Sequence, residues 1–180
     1  MRVLLVAHGW PLAEMGGVGL YVQALAKELG RQGEEVAVLA PGGRGEELEE
    51  RREEWGTALL APSIAPRRWS ETWRKPRLLS QLAAWAGSWR PDVAHVHHLS
   101  GIGLDIWDAL PEDTLRALSL HDYSVPCARG QLWNPGEGIC SGPGPARCAG
   151  CISAQFHLNP LSARLGRWLR RTPRLRSGIR

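Results

Sequence analysis

Three short groups of residues have the types needed to hold a ligand. Gly16-Gly17-Val18-Gly19 carries little side chain, so its backbone can approach a ligand closely, and amides freed at a helix start favour a phosphate. His97-His98 and His121-Asp122 carry imidazoles whose neutral form gives or takes one hydrogen bond with a ligand hydroxyl. Each group also has a plainer reading: a tight turn for the glycines, satisfied structural histidines for the others. His95 is read as a hydrogen-bonded core histidine facing away from His97. His97 lies nearer its strand end and is the better candidate for substrate contact. A fourth group is of another kind. Cys127, Cys140, Cys148 and Cys151 are spaced C-x12-C-x7-C-x2-C. The closing CxxC is half of a usual zinc site, and four thiolates suit a closed structural centre with no open position for catalysis. Free thiols and disulfides are the alternatives, disulfides being disfavoured in a reducing compartment. Arg129, two residues beyond Cys127, is a candidate phosphate contact.

The elements around the first three groups make them one site. Arg2–His8 is a nearly unbroken β-favouring run, the pattern of a central parallel strand covered on both faces. Further strands are predicted over Glu35–Ala40, Thr57–Ala61, Val93–His97 and Thr114–Leu120. A helix is predicted from Val18 to Arg31, with Val18, Val22, Leu25, Ala26 and Leu29 on one stripe. Pro76 starts a second, with Leu78, Leu82, Trp85 and Trp89 facing the core. A short helix is expected over Leu104–Leu110. Glu46–Glu54, highly charged and without an apolar face, reads as a short exposed helix, and Pro62–Lys75 as an irregular connection. Strand and helix alternate, which predicts a doubly wound α/β domain with a mostly parallel sheet. The three groups then all follow strand ends on one edge of the sheet, where ligands bind in open α/β folds. A dinucleotide site is disfavoured. His8–Met15 separates the glycines from their strand, and Ala40-Pro41 offers no acidic residue for a ribose.

A chain of 180 residues is one domain's worth of core. Residues 1–122 read as the core of a lobe, 123–151 as a Cys-rich insert with no period of either kind, and 152–180 as a basic helix and tail. That helix is expected at about Ser162–Arg171. Seven arginines and no acidic residue lie between Arg164 and Arg180. Arginine outnumbers lysine twenty to two throughout, so positive charge is a general bias and weak evidence for a phosphate. Nucleic acid is not among the expected partners. The basic tail permits contact with anionic lipid. Met1–Pro11 lacks the apolar core of an export signal, and no run approaches a membrane span. The expected location is cytoplasmic, with peripheral contact at the inner membrane face left open.

Four segments carry a family resemblance: Gly16–Leu29 (GGVGLYVQALAKEL), Arg31–Leu39 (RQGEEVAVL), Pro91–His98 (PDVAHVHH) and Leu118–Tyr123 (LSLHDY). With the opening strand, in this order and spacing, the chain from Met1 to about Cys151 resembles family-4 glycosyltransferases of the two-lobed GT-B type. The resemblance implies a Rossmann-like, acceptor-side amino-terminal lobe. It also implies transfer from a nucleotide-sugar donor with retention, using no cofactor for catalysis. The loop of Gly16, Gly17 and Gly19 would lie near the donor phosphates and the acceptor. His121 would contact the donor sugar and His97 would line the acceptor side. Asp122 is a substrate contact in this reading and not a nucleophile. Similar cysteine loops occur in part of the family, directly after the His-Asp pair. The family's second lobe binds the nucleotide and carries two glutamates eight positions apart. That second lobe cannot lie within 180 residues already spent on the first, so the chain is expected to be truncated and inactive by itself. The acceptor (glycan, lipid or small molecule) stays open. The alternatives are a non-catalytic zinc-stabilised module for carbohydrate or phosphate, and another nucleotide-binding α/β protein.

Overall fold

The computed structural model describes residues 1–63, 74–127, 129–134 and 138–155. Its centre is β1 (Arg2–Val6), whose Leu4, Leu5 and Val6 have no exposed surface. A strand this apolar needs cover on both faces and partners on both sides. β1 pairs in parallel with β2 (Glu35–Gly43) on one side and β5 (Val93–Val96) on the other. β4 (Gly56–Pro62) continues the sheet beyond β2, and β6 (Leu115–Leu118) beyond β5, both parallel.

Two helices cover the faces. α1 (Gly16–Arg31) seats Val22 and Ala26 on Val3 and Leu5 of β1. α2 (Pro76–Trp89) seats Leu78, Leu82 and Ala86 on the opposite face, against Leu4 and Val6. Alternate residues of one strand thus feed two cores, the geometry that a period of two imposes. Pro76 opens α2, and Arg90 ends it in the left-handed region at φ 51°. A short 3-10 helix, Leu104–Ala109, adds Ile106 to the α2 side. The doubly wound, mostly parallel α/β architecture expected from the sequence is the one observed.

One element differs in kind. Within Glu46–Glu54, where a helix was expected, the chain forms β3 (Glu49–Glu53), antiparallel to β4. Its residues have no apolar face for a helix to bury, whereas pairing with β4 satisfies their backbone groups. The charges then blunt an exposed sheet edge. The sheet order is β3-β4-β2-β1-β5-β6.

The chain divides into two compact units, Met1–His121 and Asp122–Arg180. In the second, the stretch expected to lack regular structure holds a small antiparallel hairpin. Its strands are β7 (Trp133–Asn134) and β8 (Gly138–Ile139). A helix, α3 (Pro145–Gln155), follows and carries Cys148 and Cys151. Strands of two residues and a helix of low hydrophobicity leave no periodic trace in a sequence. The helix expected at Ser162–Arg171 and most of the Pro62–Lys75 connection lie outside the described residues. Among the described residues no helix is long and apolar enough to cross a membrane.

Candidate functional site

From β1 the chain moves outward through β2 and β4, then returns to place β5 and β6 on β1's other side. The switch point lies between β1 and β5, and open α/β sheets bind ligands beyond the strand ends at such a point. Five of the six histidines stand on β1, β5 or β6 or just past their ends. His8 follows β1, His97 and His98 follow β5, His121 follows β6, and His95 lies on β5. The rings of His8 and His98 are 4.6 Å apart.

His95 and His97 share one face, with ring centroids 4.0 Å apart. The expectation that they face opposite ways fails for a simple reason: residues two apart on a strand point to the same side. His95 Nε2 lies 2.8 Å from Ser119 Oγ, so His95 does have the hydrogen bond expected of a core histidine.

His97 is the buried member, 2% exposed. Its Nδ1 lies 3.1 Å from His121 Nε2. Tyr21 of α1 packs against both rings, at 5.4 Å from His97 and 5.5 Å from His121. Burial, reinforced by His95 and His121, lowers the His97 pKa from 6.5 to about 3. His95 is lowered too, by burial and by His121. His97 is therefore neutral at physiological pH. Its buried Nε2 has no hydrogen-bond partner among the described residues. Either tautomer of the His97–His121 contact leaves this nitrogen unused, as a bare acceptor or as a free N–H. A hydroxyl can meet either form, because it both donates and accepts. An imidazole left without a partner in a buried place costs stability, which is how binding sites differ from cores.

The glycines separate into two roles. Gly16 has φ +75°, and a Cβ at Gly16 or Gly17 would meet nothing within 4 Å. The start of α1 is open there, as a ligand approaching its amides requires. Gly19 is buried, and its Cβ would fall 1.9 Å from the Leu12 carbonyl oxygen. Its small size lets the 3-10 helix Leu12–Glu14 pack on α1. Tyr21 and Ser119 were missed as site residues. No pattern in the sequence marks Tyr21, an exposed residue of α1.

Asp122 and Arg129 belong to the second unit. Asp122 Oδ1 accepts a hydrogen bond from the Ser124 amide at 2.8 Å, and its carboxylate lies over Gly130. Arg129 Nη1 donates to Cys151 Sγ at 3.6 Å. The thiols have separate partners: Cys140 Sγ lies 3.3 Å from the Gly142 carbonyl, and the Gly144 amide donates to Cys148 Sγ at 3.3 Å. Burial would raise the Cys127 pKa, but amides of Leu132, Arg129, Gln131 and Gly130 outweigh it and lower the pKa. All four cysteines are free, and no group of three or more His, Cys, Asp or Glu among the described residues could hold a metal. As placed, the thiols do not form one zinc ligand set.

A doubly wound, mostly parallel sheet with a polar cluster beyond its strand ends defines a Rossmann-like α/β lobe. The model of Glycosyltransferase Family 4 matches residues 15–177, and the chain belongs to that family. Among solved structures, a sucrose-phosphate synthase from Thermosynechococcus elongatus is similar over 54% of this chain and 27% of its own, at 16% identity and TM-score 0.43. A second sucrose-phosphate synthase structure from that organism is similar over 66% of this chain and 64% of its own, at 14% identity and TM-score 0.44. The chain thus spans less than two thirds of either neighbour. No curated protein matches it.

Proposed function

We propose that this lobe forms the acceptor side of a glycosyltransferase that moves a sugar from a nucleotide-sugar donor with retention of configuration. Membership of Glycosyltransferase Family 4 supports the reaction class. The observation that carries the reading is the buried, neutral His97, held against His121 with its Nε2 unused at the strand ends. His121 contacts the donor sugar and His97 an acceptor hydroxyl. Tyr21 packs on both rings and fixes their orientation. The open first turn of α1, at Gly16 and Gly17, receives donor phosphate through backbone amides. Charge on the departing nucleotide is met by amides and cations, without a metal or a carboxylate nucleophile. The acceptor is a glycan, a lipid or a small hydroxylated molecule.

The experiment is a transfer assay on a preparation that includes a nucleotide-sugar-binding lobe. It uses a panel of nucleotide sugars with mixed hydroxylated acceptors, and NMR of the anomeric proton in the product. The expected outcome is a glycoside with the donor's anomeric configuration, formed in the presence of a chelator. Inversion of configuration, or no glycoside from any donor, contradicts the proposal.

A further inference from the structure

The opposite edge of the same sheet carries a second feature. On the α2-side surface, Trp85 and Trp89 of α2 and Glu50 and Arg52 of β3 line one gap together with Thr57 of β4. A cleft of about 340 Å³ lies in this gap, at the small end of the range for small-molecule sites, roughly 300–1,000 Å³. One wall is aromatic. Trp85 and Trp89, one turn apart on α2, stack with ring centroids 4.8 Å apart and planes inclined by 28°.

The other wall is polar. Glu50 and Arg52 are two apart on β3 and so share a face, and both line the cleft. Arg52 Nη1 donates to Thr57 Oγ1 at 3.4 Å, on the facing strand. Arg51 and Glu35 complete the lining, with Glu35 3.5 Å from Arg2 Nε. Among the described residues the Glu50 side chain makes no ion pair or hydrogen bond. The Arg51 side chain points to the other face, toward Glu49. This leaves the Arg52 guanidinium with the Glu50 and Glu35 carboxylates, a set with no excess positive charge to attract a phosphate or a nucleotide. What it offers is a ring stack beside matched donors and acceptors.

We propose that this cleft is a non-catalytic binding site for a neutral saccharide. One face of a pyranose is lined by C–H bonds whose partial positive charge suits the negative face of an indole ring. Its hydroxyls accept from guanidinium N–H groups and donate to carboxylates, so a guanidinium beside carboxylates fits them better than either sign alone. The site is separate from the histidine cluster. Glu35 and Thr57 stand at the starts of β2 and β4, whereas the histidines follow strand ends. A strand of five residues places about 16 Å between those edges. The inference does not rest on the transferase reading.

The test uses the ¹⁵N-labelled chain and its indole N–H signals, with Trp85→Phe and Trp89→Phe assigning two of them. Maltose, cellobiose, lactose and trehalose are titrated in turn, with inorganic phosphate as the charged control. At least one sugar is expected to move these two signals and to saturate at millimolar concentration. Glu50→Gln and Arg52→Ala, both on the exposed edge strand, are expected to weaken that binding about tenfold. His121→Ala should leave it unchanged. The inference is overturned if none of the four sugars moves the two signals, or if binding survives both edge-strand variants intact. Phosphate moving the signals as far as sugar, or loss of binding in His121→Ala, overturns it as well.

Discussion

His97 is where the sequence and the protein's needs meet most sharply. Its strand places it in the core, yet one ring nitrogen is left unused, and only its neutral form is compatible with that burial. The consequence for stability has a definite sign. The unfolded chain takes up a proton on this residue near 6.5, while the folded chain resists until about 3. The contribution of neutral His97 is therefore complete above 6.5 and is lost as pH falls toward 3. Urea unfolding of the chain should show stability falling over that window, with a shallower fall in His97→Gln. An identical slope in the variant would mean that other groups account for the acid sensitivity. The presence of a histidine group at the strand ends was legible from residue type and order alone. The side-by-side placement of His95 and His97 was legible too, from the two-residue period, and was misread. Tyr21 was not legible, because an exposed tyrosine on a helix has no pattern to mark it as a partner of rings some 76 and 100 positions away.

Elements with a strong apolar period were read correctly. β1, β2, α1 and α2 announce themselves through runs or stripes that must be buried. β3 does not, because a charged edge strand owes its existence to β4 and to nothing in its own pattern. The β7–β8 hairpin and α3 are hidden for the same reason, being too short or too polar for a period. The glycine run at α1 was seen as a unit and proves to be two things. Gly17→Ala, with open space at its Cβ, should leave unfolding in denaturant unchanged or slightly improved, as alanine suits a helix better. Gly19→Ala forces the helix off the Leu12 carbonyl and should cost about 1–3 kcal/mol. Equal losses from both substitutions would contradict the assignment of Gly17 to ligand approach and Gly19 to packing.

At the scale of the whole molecule, the sheet order does what no single motif can. Glycines near residue 16 and histidines near 97 and 121 become neighbours only because β1 sits between β2 and β5, so that separated strand ends share one edge. That much follows from the alternation of strands and helices. The antiparallel edge, which opens the cleft beside Trp85 and Trp89, does not. The account's central claim is that His121, held by His97 and Tyr21, touches the sugar being transferred. The most direct measurement is kcat for transfer in His121→Ala, in a preparation that includes a nucleotide-sugar-binding lobe, together with its unfolding midpoint. The account predicts kcat lower by about a hundredfold, with the midpoint lowered by no more than the loss of one hydrogen bond to His97, because His121 itself is exposed. Near-normal turnover in a folded variant would contradict it.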